Sequence, residues 1–403
     1  MTTTGTRDDT TVTLSTYPEL WDAFRQRDLR QALYTAGGVV MGGTLLDLHG
    51  LEHQRRRRIE NRLFRRGTFR TWESQLVPEI IREAFAPALS AGRADLVLLG
   101  TRTTMNLTAK VAGADRQSDA VEETDALQSF AMKFSEGATL VHSTRDQEQV
   151  RAEVRADLVR FDEMFFTPSM QRRRALLADP DVDPADYPKD VLTGLLQHEA
   201  ELGLDRETML REVAFYLQAG SHSTADAFTH AVDETLRWTA EKPSRRALLD
   251  DDLFVQRCVH EALRLHPASP EALRHADVDV TLRSGRVIPA GTTVRMDIHA
   301  ANRDHSVFGP HASQYDPERP ASPDAPPWGH TFGGGMHACI GMELDGGTAP
   351  RPDEAEHVLG TVPLMVRELL GHHVRVDPNN PPVKETHSHR DHFASYPVLL
   401  DPS

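Results

Sequence analysis

The feature that most restricts this chain is the run Phe332-Gly333-Gly334-Gly335-Met336-His337-Ala338-Cys339-Ile340-Gly341. It places three glycines, a histidine and one of only two cysteines in a fixed order. A thiolate that binds a metal needs a particular setting. The free thiol has a pKa of ~8.5, so a cation and nearby N–H donors must hold the anion. Glycines ahead of the cysteine let the backbone approach the sulfur in conformations closed to other residues. Phe332 is placed to cover the sulfur, and Gly341 lets the following helix pass close to a flat macrocycle. A phosphate loop would end in Lys-Ser/Thr, which is missing. A flexible loop with an incidental core cysteine is the plainer alternative. The ordered spacing favours Cys339 as the ligand of a haem iron.

Composition narrows the setting. Lys and Arg number 45 against 60 Asp and Glu, a formal charge of −15. Such an acidic surface favours solubility and argues against nucleic acid as a partner. Cys258 and Cys339 stand far apart with no CxxC spacing, so a reducing cytoplasm is the expected compartment. Residues 1–15 are polar and Thr-rich, without the apolar stretch of a signal peptide, and are expected to be disordered. No apolar run approaches the ~20 residues of a membrane helix. At 403 residues the chain exceeds the ~100–200 of an ordinary domain, yet it is expected to form a single domain over 1–403.

Most of the chain reads as helix, with amphipathic segments at 17–34, 52–64, 75–89, 121–133, 147–166 and 189–202. Two strongly marked helices follow, at 207–238 and Asp252–Leu265, the second stopped by Pro267. Residues 277–282 and 286–288 flank Arg283-Ser284-Gly285, a hairpin signal, and 292–298 reads as a strand or a turn of helix. Residues 310–335 form a long loop rich in Pro, Gly and Asp, a kind that is usually functional. A last helix is expected over 354–370 and a strand over 395–400. The fold class is mainly α with small β-sheets (α+β), the hairpins collected toward the C-terminal half.

Phe332–Gly341 resembles the haem-binding signature of the cytochrome P450 family, in which the cysteine thiolate is the proximal iron ligand. Further motifs match in the family's order. Glu261 and Arg264 lie three apart on one helix face, and the resemblance makes them structural, joined by Arg319 of Asp316-Pro317-Glu318-Arg319-Pro320. His53 and Arg57, one turn apart, and Arg274 resemble the family's propionate-binding residues, a role shared by His337. A guanidinium suits a carboxylate bidentately. Asn302-Arg303-Asp304 is also similar to a bacterial motif. Ala219-Gly220-Ser221-His222-Ser223-Thr224 falls inside the 207–238 helix, where a glycine costs roughly 0.5–1 kcal/mol and hints at close approach of something flat. The family carries an acid and then Thr where this chain has His222 and Ser223. A hydroxyl remains at Ser223, with Thr224 next, and His222, titrating near ~6.5 unperturbed, is the candidate proton donor. It is equally placed to pack away from the site or to hydrogen-bond an acidic substrate.

The resemblance implies the family's triangular-prism fold, here shortened at the N-terminus and carrying an insertion at 345–359. It implies haem b, O2, and electrons from ferredoxin and an NAD(P)H-dependent ferredoxin reductase. The reaction implied is insertion of one oxygen atom into a small organic substrate. Candidate pocket residues at 39–46, 217–224 and 268–273 are aliphatic or small, which suggests an apolar or aromatic substrate. The alternatives are a peroxide-using or non-oxygenating haem-thiolate enzyme, or a non-enzymatic haem-binding protein. His387, His389 and His392 are read as a loop near the substrate mouth rather than a metal site, and Cys258 as core. Arg55, Arg56 and Arg58 are read as a solvated basic face, one that could dock an acidic ferredoxin.

Overall fold

The computed structural model of the chain describes residues 11–118, 120–349 and 357–401. The helix Leu96–Ala112 sits near its centre. It starts where Asp95 accepts the amides of Val97 and Leu98, and it ends at Gly113 in the left-handed conformation, φ 85°. Against it pack two successive helices, Arg206–Ala219 and His222–Glu241. The expected 207–238 helix is therefore interrupted. At the break, the Thr108 hydroxyl donates to Leu217 O at 3.0 Å and the Thr104 hydroxyl to Ser221 O at 2.7 Å. Leu217 O, whose helical partner Ser221 N turns to Gln218 O instead, is thus satisfied by a side chain of the neighbouring helix, while Ser221 O also keeps the Ala225 N–H. A Cβ on Gly220 would lie 2.7 Å from the Thr108 methyl, so this glycine first of all admits Thr108.

Other boundaries also shift. The expected 17–34 helix stops at Ala23, and Leu29–Gln31 turns into strand because β-pairing claims it. Helices at Gly50–Glu60, Val77–Ala91, Val121–Ala138 and Gln147–Phe161 match expected segments, and Asp252–Leu265 matches to the residue. The 189–202 segment divides into Val191–Gln197 and Glu199–Leu202, and the last helix begins late, at Thr361. Among the described residues no helix is long and apolar enough to cross a membrane.

Eleven short strands are described: β1 (Thr11–Leu14), β2 (Leu29–Gln31), β3 (Arg93–Asp95), β4 (Glu271–Ala276), β5 (Val280–Thr281), β6 (Val287–Ile288), β7 (Thr293–Asp297), β8 (Arg375–Val376), β9 (Val383–Lys384), β10 (Phe393–Ser395) and β11 (Pro397–Leu399). The largest sheet has the order β1-β7-β4-β2, with β1 parallel to β7 and the other pairs antiparallel. The expectation of disorder over 1–15 fails at β1, where Thr11–Leu14 gain a ladder along Thr293–Met296 and bury Leu14. Residues 1–10 lie outside the described residues. The predicted hairpin is β5–β6, and 292–298 is strand β7. The sheets are not confined to the C-terminal half, since β1, β2 and β3 each pair with a C-terminal strand.

Two polar networks on the Asp252–Leu265 helix hold the loops that follow it. Arg264, fully buried, gives two bonds to Glu261 (2.7 and 2.8 Å) and two to the carbonyls of Asn302 and Ala312 (2.5 and 2.6 Å). Arg319 adds a bond to Glu261 at 3.1 Å and reaches the carbonyls of Phe308, His311 and Gln314. One turn earlier, Gln256 Nε2 donates to the carbonyls of Val358 and Leu359, and the His260 ring meets Gly346 O at 2.7 Å. These contacts clasp the expected 345–359 insertion at its neck. The chain leaves a short helix at Asp345 and re-enters one at Thr361. A Cβ on Gly360 would lie 2.3 Å from Gly347 N and 2.7 Å from Asp345 O, so exit and return meet. Residues 350–356 lie outside the described residues.

Removing one partner of a buried ion pair leaves the other charge uncompensated, at ~3–5 kcal/mol. Glu261→Gln is expected to lower stability by about that amount, read from the denaturant midpoint. A second expectation concerns His260, whose pKa burial lowers to about 4. The unfolded chain takes up this proton as pH falls below 6.5 while the folded chain does not, so stability is present above pH 6.5 and lost as pH falls toward 4. His260→Gln keeps a donor for Gly346 O and removes the titration. The stability-versus-pH slope in that window should become shallower by ~1.4 kcal/mol per pH unit; an unchanged slope would refute the assignment.

Candidate cofactor site

The cysteine loop is folded over the end of the first helix. Gly333 and Gly335 have φ of 66° and 63°, values that favour glycine. A Cβ on Gly335 would lie 1.9 Å from Phe24 O, and one on Gly334 3.1 Å from Phe24 Cβ. The glycines are therefore required by close packing on Phe24, not by approach to the sulfur. The Cys339 N–H donates to Phe332 O at 2.9 Å, and the Gly341 N–H supports the sulfur. Phe332 is locked edge-on against Trp328, 5.7 Å between centroids. Asn302 connects the loop to the Arg264 network: its amide group donates to Arg264 O and to Thr331, and its Oδ1 accepts the His330 N–H.

Cys339 faces an internal cavity of about 330 Å³, and its exposed surface belongs to that cavity. Surrounding protein pushes the thiol up to about 11. A neutral thiol is the outcome unless a cation stands opposite the sulfur. Phe332, His337 and Gly341 line the same cavity, as do Gly220, Ser223 and Thr224. No atom would contact a Cβ on Gly341 within 4 Å, so the wall is open there.

His53, Arg57 and Arg274 come to the cavity from the Gly50–Glu60 helix and from β4. The rings of His53 and His337 lie 4.6 Å apart, and all four ring nitrogens are buried without a partner. Arg57 bonds to Ala338 O at 2.8 Å and to Asn61, and Arg274 to the Gln31 side chain at 2.5 Å. Among the described residues neither guanidinium meets a carboxylate within 4 Å. Burial lowers His53 to about 4 and Arg274 to about 10. Two arginines and two orphaned imidazoles in low dielectric call for anionic acceptors. A metalloporphyrin bearing two propionates, with its metal against Cys339, fits this donor set.

The opposite wall differs from expectation. His222 does not line the cavity; its ring lies behind the wall. Nδ1 is 3.0 Å from both Ser135 Oγ and Arg390 Nη2, and Nε2 is 3.1 Å from His392 Nδ1. Burial, and then Arg390, lower its pKa to about 3, so the ring is neutral near pH 7. Ser223 Oγ donates to Ala219 O at 2.7 Å. The Thr224 hydroxyl hydrogen-bonds Asp345, whose carboxyl burial raises to about 6. Arg56 is not part of a solvated face: it is buried and paired with Glu212 at 2.7 Å, tying the His53 helix to Arg206–Ala219. Cys258 is fully buried. Sequence reasoning missed Arg390, which lines the cavity from the β9–β10 turn. The only signal was its place among His387, His389 and His392.

The cytochrome P450 family model matches residues 212–344. Bifunctional cytochrome P450/NADPH--P450 reductase 2 of Bacillus subtilis (strain 168) is 29% identical over 218 residues, 49% of this chain and 20% of the relative. Cytochrome P450 4A10 of Mus musculus is 36% identical over 99 residues, 24% of this chain and 19% of the relative. The chain thus spans about a fifth of the length of these curated relatives. Its fold matches the crystal structure of CalO2 with a TM-score of 0.75 at 18% identity, covering 97% of this chain and 90% of the other. From the His53 and Arg57 pair through Glu261 and Arg264 to Cys339, the order of motifs and the fold are similar to those of the cytochrome P450 family.

Proposed function

We propose that the chain is a haem-thiolate monooxygenase that inserts one oxygen atom from O2 into an organic substrate. The observation that carries this reading is Cys339 facing a cavity whose edge gathers His53, Arg57, Arg274 and His337 without an acid. We assign the cofactor as haem b. Thioether attachment needs a CxxCH pair of cysteines, and Cys258 is buried elsewhere in the core. Bound there, the haem supplies reductive activation of O2, while the protein supplies ligand, anchors and chamber. Cys339 holds the metal as thiolate, and the Gly341 N–H supports the sulfur. Arg57 with His53 and Arg274 with His337 would hold the two propionates.

Ser223 and Thr224 place hydroxyls on the wall across from Cys339, and we assign Ser223 Oγ to hold and pass a proton there. His222, neutral and behind the wall, acts by positioning its neighbours. Electrons come from a separate acidic ferredoxin served by an NAD(P)H-dependent ferredoxin reductase. Exposed Arg55, Arg58, Arg62 and Arg65, near the cysteine-loop side of an otherwise acidic chain, support such docking. The compartment that fits the two unpaired cysteines is the cytoplasm. A peroxide-using enzyme is the second reading, favoured by the absence of an acid at position 222.

The reduced, CO-bound protein should show the absorption of a thiolate-ligated haem, and Cys339→Ala should lose it. A band unchanged in the variant would exclude Cys339 as ligand. Ser223→Ala is expected to lower product formed per NAD(P)H consumed by about 100-fold, the lower end of a general acid–base contribution, with substrate affinity unchanged. Turnover supported by hydrogen peroxide alone, and none with ferredoxin and reductase, would decide for the second reading.

A further inference from the structure

We propose that Arg390 is the anchor of an anion-binding subsite in the cavity, and that the substrate carries a carboxylate on an apolar body. The proposal deepens the reading of this cavity as the substrate chamber, and it replaces the expectation of an uncharged substrate.

Arg390 has no structural counter-ion. Its one side-chain bond is from Nη2 to His222 Nδ1 at 3.0 Å, and its Nε is buried without a partner. Among the described residues no carboxylate lies within ion-pair distance of it. A half-buried guanidinium without an ion-pair partner, its Nε sealed off from any acceptor, is costly and is kept only where something compensates it. His53, Arg57, Arg274 and His337 gather at the loop side and supply donors enough for two propionates, although Tyr34 lies within the field of both Arg274 and Arg390. Arg390 stands instead with Ser135, His222 and His392, beside the break before the His222–Glu241 helix.

The charged and titratable groups facing Arg390 from each packed element neutralise it only in part. Asp226 of the His222–Glu241 helix is the acid that acts on it most, but it lies nearest to His230 (3.6 Å) and His392 (3.9 Å), and burial raises its carboxyl to about 7, so that only about half of it is ionised near neutral pH. Glu271 of β4 is paired with Arg295, which also meets Asp297, and burial lowers His142 to about 4, which leaves it neutral near pH 7. Tyr34 contributes a phenol whose ionisation burial opposes.

The surroundings are built for a ligand rather than for the arginine's own packing. The β9–β10 turn is stitched to residues 142–144 by His389 N to His142 O (2.8 Å) and Thr144 N to His387 O (3.0 Å). His222 Nδ1 offers a single in-plane lone pair to two donors, Arg390 Nη2 and Ser135 Oγ, each at 3.0 Å. One donor is therefore always spare, and Ser135 lines the cavity beside Arg390. A guanidinium fork and a hydroxyl on one wall match a carboxylate's two oxygens. The rest of the chamber is apolar, with Leu45, Leu46, Leu107, Val111, Phe215 and Ile298 on its wall.

The test is calorimetric titration of the purified haem protein with saturated fatty acids of eight to sixteen carbons and their methyl esters. At least one acid should bind about tenfold or more tightly than its ester. Arg390→Leu should abolish that margin while ester affinity stays within about twofold, and Arg390→Lys should restore part of it. Equal binding of acid and ester throughout the series overturns the proposal without any variant, as does a margin that survives Arg390→Leu. Binding heat does not depend on the haem spectrum. A preserved acid margin without the thiolate-haem band would therefore sink the monooxygenase reading and leave the subsite standing.

Discussion

The fold's dependence on one interaction begins at Arg264. Its guanidinium is fully buried and spends its donors on Glu261 and on two carbonyls of loops that have little hydrophobic surface of their own. Phe308, Ala312 and Trp328 bury some apolar area in these loops, too little to fix the rest of their course. The loops are held here by charge-assisted bonds in low dielectric, which are strong when complete and costly when broken. Asn302 then passes the constraint from Arg264 O to His330 and Thr331, and so to the cysteine loop. The position of one sulfur is thereby referred to a helix more than seventy residues earlier in the chain.

The cavity follows a second principle, a division of labour between its cations. On the proposed reading those near the cysteine loop serve the cofactor, beside imidazoles whose nitrogens find no protein partner. The one near the helix break is arranged for whatever enters. Both sets are positioned by neutral partners, Gln31 for Arg274 and His222 for Arg390. Neutral partners orient a guanidinium without cancelling its charge, which keeps the electrostatic attraction available to a ligand.

Motifs whose meaning lies in spacing were legible in the sequence. The cysteine loop, the Glu261 and Arg264 pair, the His53 and Arg57 turn, and the Asp252–Leu265 helix each carry their geometry in a few consecutive residues. What was not legible depends on contacts distant in sequence. Nothing near residues 17–34 says that Leu29–Gln31 will pair with β4, and nothing near Arg56 announces Glu212. The side of the helix on which His222 falls was equally hidden, because it is set by Ser135 and by a turn 168 residues later. Of the three glycines, Gly333 and Gly335 hold the left-handed backbone that the sequence reading expected, whereas the crowding of Gly334 and Gly335 against Phe24 had no local signal.

The meeting of Gly347 and Gly360 has a consequence for how such a chain can vary. Since the two ends of the excursion are fixed against each other by Gln256 and His260, the span to be closed does not depend on what joins them. Lengthening a closed loop costs little, about 0.6 kcal/mol for each doubling. The neck thus separates two evolutionary regimes within a few residues: a stretch upstream where a single methyl group would displace the cysteine loop, and one downstream where whole segments can be gained or lost without Cys339 registering the change.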